Sequence, residues 1–169
     1  MPALAIVIAD AARARLFTWK RESADAPAPI LHERADLVSL ERRTPHDQLW
    51  TDARPRGNPG PGGHGDPVDD HRDAHLAEVD RRFAAEVLAK LRVLADLTAC
   101  RRVALVASPR FLGHLRDQAE VLTRHGLIVQ EVARDLTRES GPALRRHLGA
   151  LGVLPELGPD PGVARSLGP

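Results

Sequence analysis

Residues Leu4 to Ile8 read Leu-Ala-Ile-Val-Ile, with no polar side chain among them. A strand alternates its side chains between two faces, so a run of this kind must be covered on both. That requirement puts the segment in the interior of a sheet with helices packed above and below it. A second run of the same character, Val103-Ala-Leu-Val-Ala107, predicts another buried strand. The rest of the chain has to be arranged around these two.

Arg13 to Trp19 predicts a second strand, with Arg13, Arg15, Phe17 and Trp19 on one side and Ala14, Leu16 and Thr18 on the other. A break containing Pro27 and Pro29 leads to a weaker third strand over Ile30–Leu40, and close connections suggest an antiparallel meander. From 43 to 73 periodicity disappears, and nine of the thirteen residues from Pro55 to Pro67 are Gly or Pro. A loop of that length inside a compact chain is usually functional or disordered. A long helix is expected from Asp69 or Asp70 as N-cap, its stripe formed by Leu76, Val79, Phe83, Val87, Leu91 and Leu94.

After the second buried strand, Ser108-Pro109 is a helix start, with Leu112, Leu115, Ala119 and Leu122 lining one helix that ends at Gly126. Leu127–Val132 predicts the fifth strand. Ser140-Gly-Pro142 opens a last helix that stops at Gly152. The expected fold is therefore α/β: a mixed five-stranded sheet in two or three layers, in the order β-β-β-α-β-α-β-α, with ribonuclease H-like or ribosomal-protein-like topology. Residues 1–152 form one domain with the Gly/Pro-rich loop 43–73, and 153–169 read as a tail.

Composition narrows the function classes. The longest apolar run, Ala3–Ala9, is far short of the ~20 residues of a membrane span. It also lacks a basic lead and stops at Asp10, so no signal peptide is expected. The single cysteine, Cys100, fits a cytoplasmic setting. Lys plus Arg number 24 against 23 acids, a net charge of +1 that gives no global pull on nucleic acid. Only Lys20 and Lys90 are lysines, however, and the other cations are arginines, the bidentate binders of phosphate and carboxylate. With three Phe, two Trp and no Tyr, a surface that stacks many bases on aromatic rings is not expected.

Two constellations carry candidate chemistry. His71 and His75 stand four apart, which on a helix puts both imidazoles on one face, and Asp70 or His64 adds a third donor. Such a set suits Zn or another divalent metal, although acids and histidines at a helix start also serve as a solvated, dipole-matched first turn. No cofactor is otherwise expected. Ser108 and Arg110, at a helix N-terminus after a buried strand, offer an anion or RNA contact that Arg13 and Arg15 extend. The competing reading is a capped helix with solvent-facing arginines. Asp10 and Glu86 are carboxylates of the kind a two-metal nuclease uses, but the fourth strand ends in Ser108-Pro109 with no acid, so nuclease activity is not expected.

Four segments in order carry a resemblance: Ala9-Asp-Ala-Ala-Arg-Ala-Arg-Leu-Phe17, Asp80-Arg-Arg-Phe-Ala-Ala-Glu86, Ser108-Pro-Arg-Phe-Leu-Gly-His-Leu-Arg116, and Glu131-Val-Ala-Arg-Asp-Leu-Thr137 followed by Leu144-Arg-Arg-His-Leu148. Together they resemble the bacterial host-attachment protein family, over about Ile6 to Leu148. That family is in turn similar to the middle domain of archaeal and eukaryotic peptide-chain release factor one. There a Gly-Gly-Gln loop before a long helix promotes peptidyl-tRNA hydrolysis on the ribosome. Gly62, Gly63 and His64 occupy the comparable place here, with His64 where the glutamine stands. The resemblance implies a release-factor-like module with the ribosome or tRNA as partner and Gly62, Gly63 and His64 as its catalytic segment. The alternatives are a non-catalytic protein-interaction module and a metal-binding protein that uses the His/Asp cluster 64–75.

Overall fold

The computed structural model describes residues 3–155 except 24, 27 and 44–66, and for 67–70 it describes the backbone alone. Five strands form one sheet: β1 (Leu4–Ala9), β2 (Arg13–Lys20), β3 (Ile30–Val38), β4 (Arg102–Ala107) and β5 (Ile128–Ala133). Their spatial order is β3-β2-β1-β4-β5. The first three pair antiparallel as a meander, while β4 lies parallel to β1 and β5 parallel to β4. The mixed five-stranded sheet is the one expected from the sequence.

Around the sheet lie α1 (Leu40–Arg43), α2 (Pro67–Leu97), α3 (Pro109–Arg116), α4 (Glu120–Thr123) and α5 (Gly141–Ala150). The alternation of β1 separates two cores. Ala5, Val7 and Ala9 pack with Phe83, Val87 and Leu91 of α2 and with Phe111 and Leu115 of α3. On the other face Leu4, Ile6 and Ile8 meet Leu144 and Leu148 of α5. The sheet is thus a middle layer, with α2, α3 and α4 on one side. Among the described residues α5 is the one helix on the other.

Several boundaries differ from expectation, each for a physical reason. The long helix begins at Pro67 rather than at Asp69 or Asp70, because proline's fixed φ suits a first helical turn. Residues 67–73, expected as loop, are therefore helical. The third strand ends at Val38, and Leu40–Arg43 turns into α1. The helix expected over 108–126 is broken into α3 and α4 by tight bonds from Gln118 N to Leu115 O and from Ala119 N to Arg116 O. The apolar spacing of Leu115, Ala119 and Leu122 runs through the break, so periodicity does not reveal it. The core also extends past 152, since Val153 and Leu154 are buried.

That extension follows from how α5 ends. Gly152 has φ +67, Gly152 N donates to Gly149 O and Val153 N to Leu148 O, the paired bonds of a Schellman cap. The cap folds Val153 back on Leu148. Helix α2 ends the same way, through Ala99 N to Asp96 O and Cys100 N to Ala95 O, but its left-handed residue is Ala99, at φ 52. An L side chain in that conformation costs about 1–2 kcal/mol. Ala99→Gly is expected to raise stability by about 0.5–1 kcal/mol, after the extra entropy of glycine in the unfolded chain is subtracted. A urea melt checks this: the midpoint should rise at constant slope, and an unchanged midpoint defeats the expectation.

Candidate functional site

The three parallel strands end in register, with Ala9 opposite Ala107 and Ala107 opposite Ala133. The residues that follow, Asp10, Ser108 and Arg134, therefore emerge side by side at the carboxyl edge of the sheet, where open α/β sheets place their ligands. Ser108 N donates to Ala9 O and Arg134 N to Ala107 O, which fixes this edge. Asp10 turns the chain into β2: its Oδ1 accepts from Ala12 N at 2.7 Å and Arg13 N at 2.8 Å. Its Oδ2 lies 3.1 Å from Thr137 Oγ1, which also stands 2.7 Å from Asp135 Oδ1. One hydroxyl proton serves only one of these carboxylates at a time. Ser108 sits at the N-cap position of α3, but its side chain makes no capping bond.

Along β2, Arg15 Nε and Nη2 bind Glu33 at 2.9 and 2.7 Å, and its Nη1 donates to the Glu139 carbonyl at 2.8 Å. Arg13 Nε binds Asp36 at 2.8 Å. The two arginines thus spend their charge on acids of β3 and on the backbone after β5. Hydrogen bonds from Arg15 and Arg13 hold Glu33 and Asp36 below their ordinary values of 4.5 and 3.8. A lowered folded-state value means the unfolded chain binds more protons in mild acid. The pairs therefore add stability above the ordinary values, and this is lost as pH falls through the depressed ones. Both acids are more than a third exposed, at 39% and 42%, so water screens the pairs. The effect is below about 1 kcal/mol each. A Glu33→Gln/Asp36→Asn variant should show a flatter stability profile than the parent between about pH 6 and pH 3. Parallel profiles from urea melts at each pH would defeat this.

A third cluster ties α1 to the middle of α2. Arg42 of α1 holds Asp80 of α2 through two bonds of 2.7 and 2.6 Å, and Asp80 is 1% exposed. Its neighbour Glu41 pairs with Arg82 at 3.0 Å. His114 of α3 stands 3.9 Å from Asp80, and Gln118 Nε2 donates to the Arg81 carbonyl at 3.0 Å.

Compared with known families, residues 5–148 match the family described as protein required for attachment to host cells. The chain belongs to this family. No curated protein matches it. A similar solved structure is the type II variant of the Ppx/GppA phosphatase from Aquifex aeolicus, 12% identical, with a TM-score of 0.37. The alignment covers 78% of this chain and 36% of that one, so the host-attachment chain spans about a third of that protein's length.

In this host-attachment family protein the four segments noted in the sequence meet pairwise. Asp10 of the first touches Thr137 of the fourth, and Asp80 of the second faces His114 of the third. Of the expected anion contacts, Arg13 and Arg15 lie together on β2 but are committed to Asp36 and Glu33, while Arg110 is exposed on the first turn of α3. His71 and His75 are exposed one turn apart on α2. Gly62, Gly63, His64 and the Asp70 side chain lie outside the described residues. Among the described residues, no group of three or more His, Cys, Asp or Glu side chains is placed to hold a metal. No described helix is long and apolar enough to cross a membrane.

Sequence reasoning missed the Arg42–Asp80 clamp and Thr137. The first had a signal. Asp80 falls four residues after Leu76 and three before Phe83, inside the buried arc of α2, and an acid there requires a cation. Thr137 carried no such signal, since it is buried only by the path of the chain after β5.

Proposed function

We propose that this host-attachment family protein is a release-factor-like module that acts on the translation machinery in the cytoplasm. It would do so by presenting the Gly62-Gly63-His64 segment to a peptidyl-tRNA ester. What supports the reading is that a helix of 31 residues begins at Pro67, directly after the 44–66 segment in the chain. Release chemistry asks little of side chains. A Gly-Gly backbone approaches the ester closely, and its N–H groups stabilise the developing oxyanion. His64 supplies the general base. Arg110, on the first turn of α3, and Arg134, directly after β5, are the contacts for RNA phosphate.

Sedimentation of the full chain with ribosomes at low salt tests the reading. The expected result is co-sedimentation that falls as salt rises from about 50 to about 200 mM, as phosphate contacts require. It should weaken in Arg110→Gln/Arg134→Gln. Peptidyl-tRNA hydrolysis, if driven by the Gly-Gly backbone, should be lost in Gly63→Val. Absence from ribosomal fractions at low salt overturns the proposal. The pairing of Arg13 and Arg15 with acids favours a second reading, a module that binds a partner protein, and that absence would leave it standing.

A further inference from the structure

Among the described residues α5 is the one helix on its face of the sheet, and no described helix lies over the β3 edge of that face. Between α5 and strands β2 and β3 lies an open groove of about 750 Å³, within the range of small-molecule sites. Its floor is apolar: Phe17 and Leu31 from the strands, Ile30 at the edge and Pro142 from the helix. Its rim is cationic, formed by Arg15, Arg145 and Arg146.

Three features make this more than a solvated surface. Arg145 lies over the Trp19 ring at 5.4 Å and Arg15 over Phe17 at 5.0 Å, so the guanidinium groups rest on rings whose other side is in the core. Glu33, the groove's acid, is engaged in two bonds by Arg15. Arg145 and Arg146 have no carboxylate partner among the described residues, which leaves a local excess of positive charge beside an apolar floor. Finally, Gly141, Arg145 and Gly149 follow at steps of four on one helix face, and both glycines line the groove. A Cβ at either would meet nothing within 4 Å, so core packing does not demand them, and they leave the space beside Arg145 open.

We infer that this groove binds a small organic anion, its oxyanion group taken by Arg145 and Arg146 and its apolar body laid on Leu31, Ile30 and Pro142. The guanidinium fork accepts phosphate and carboxylate alike, each through paired charge-assisted hydrogen bonds. An aliphatic and aromatic floor selects ligands with a hydrocarbon part over bare inorganic ions. The site stands on the opposite face from α2 and does not depend on the release-factor reading.

The test is a titration of the 15N-labelled full chain, followed by NMR, with phenyl phosphate, 3-phenylpropionate, inorganic phosphate and the neutral 3-phenylpropanol. Saturable shifts below about 10 mM are expected for one or both organic anions, at the Trp19 indole and the amides of Leu31, Gly141 and Gly149. The tighter of the two identifies phosphate or carboxylate as the natural head group. Arg145→Gln/Arg146→Gln should weaken binding at least about tenfold. Gly149→Leu should block it while leaving the unfolding midpoint unchanged or higher, because leucine favours the helix and fills only the groove. The inference is overturned by a lack of saturable shifts, or by shifts centred elsewhere. Equal binding of phenylpropanol, equal binding of inorganic phosphate, or undiminished affinity in the double arginine variant would each overturn it too.

Discussion

Replacing Arg42 with alanine is expected to cost about 3 kcal/mol of folding stability. The variant strands Asp80, 1% exposed, in a site where its two short bonds came from that guanidinium. Breaking a buried ion pair from one side costs about 3–5 kcal/mol, because the remaining charge keeps its desolvation penalty without a partner. The lower end applies here, since the Arg42 side chain is 21% exposed and water reaches that side of the pair. The fully solvated pair Arg124–Glu120, one helical turn apart, contributes only about 0.3–0.5 kcal/mol by contrast. Urea unfolding of Arg42→Ala beside Arg124→Ala separates the two cases. A loss below about 1 kcal/mol in Arg42→Ala would mean that Asp80 finds another cation or reaches water.

Leu144→Ala is expected to cost about 3–4 kcal/mol. Leu144 is fully buried in the second core, against the side chains of β1, β2 and β4. The cost is the lost transfer energy plus a cavity that the surroundings fill only in part. Collapse is hindered on this face, because α5 is held at its far end by the Val153–Leu148 cap and by Gln130 Nε2 donating to the Gly152 carbonyl at 3.2 Å. The helix therefore cannot settle freely into the void. The variant should also loosen the groove wall and reduce anion affinity along with stability. Chemical denaturation with Trp19 fluorescence in a Trp50→Phe background reads the stability and the NMR titration reads the affinity, and a loss under about 1.5 kcal/mol would show that the site collapses after all.

The sheet was legible because its central strands leave no freedom. Six consecutive buried residues in β1 and five in β4 admit only an interior position with helices on both faces. The order of elements then followed from the antiparallel meander and the helical crossovers. Helix ends were less legible, because caps depend on single backbone bonds: a proline moved the start of α2, and tight turns after Leu115 split one periodic stretch into two helices. The candidate site was read only in part. Asp10, Ser108 and Arg110 do sit at strand ends and a helix start. The commitment of Arg13 and Arg15 to β3 depends on strand register, which single-residue spacing does not disclose. Arg145 and Arg146 matter only because α5 lies alone on its face, a fact of topology rather than of local pattern.

The pairing of β2 with β3 slips by one residue between Leu16 and Phe17. Leu16 sits opposite Ala35 and Phe17 opposite Glu33, so Arg34 is passed over and sends its guanidinium to Thr18 instead. In a regular strand, residues 33 and 36 point to opposite faces, and two arginines two positions apart on β2 could not both be met. The surplus residue turns the strand over midway. It carries Leu31 and Glu33 to one face and Ala35 and Leu37 to the other, and returns Asp36 to the side of Arg13 and Arg15. This edge strand is therefore tuned in length as well as in composition. Deleting Arg34 would restore a regular ladder, and in doing so turn one half of the strand inside out. Either the acid would leave its arginine or the apolar pair would leave the core. Exchanges of side chain at 34 are a local matter. Single-residue insertions and deletions between 33 and 36 exchange the two faces for everything on one side of them, and descendants of this sequence can vary that stretch only by substitution.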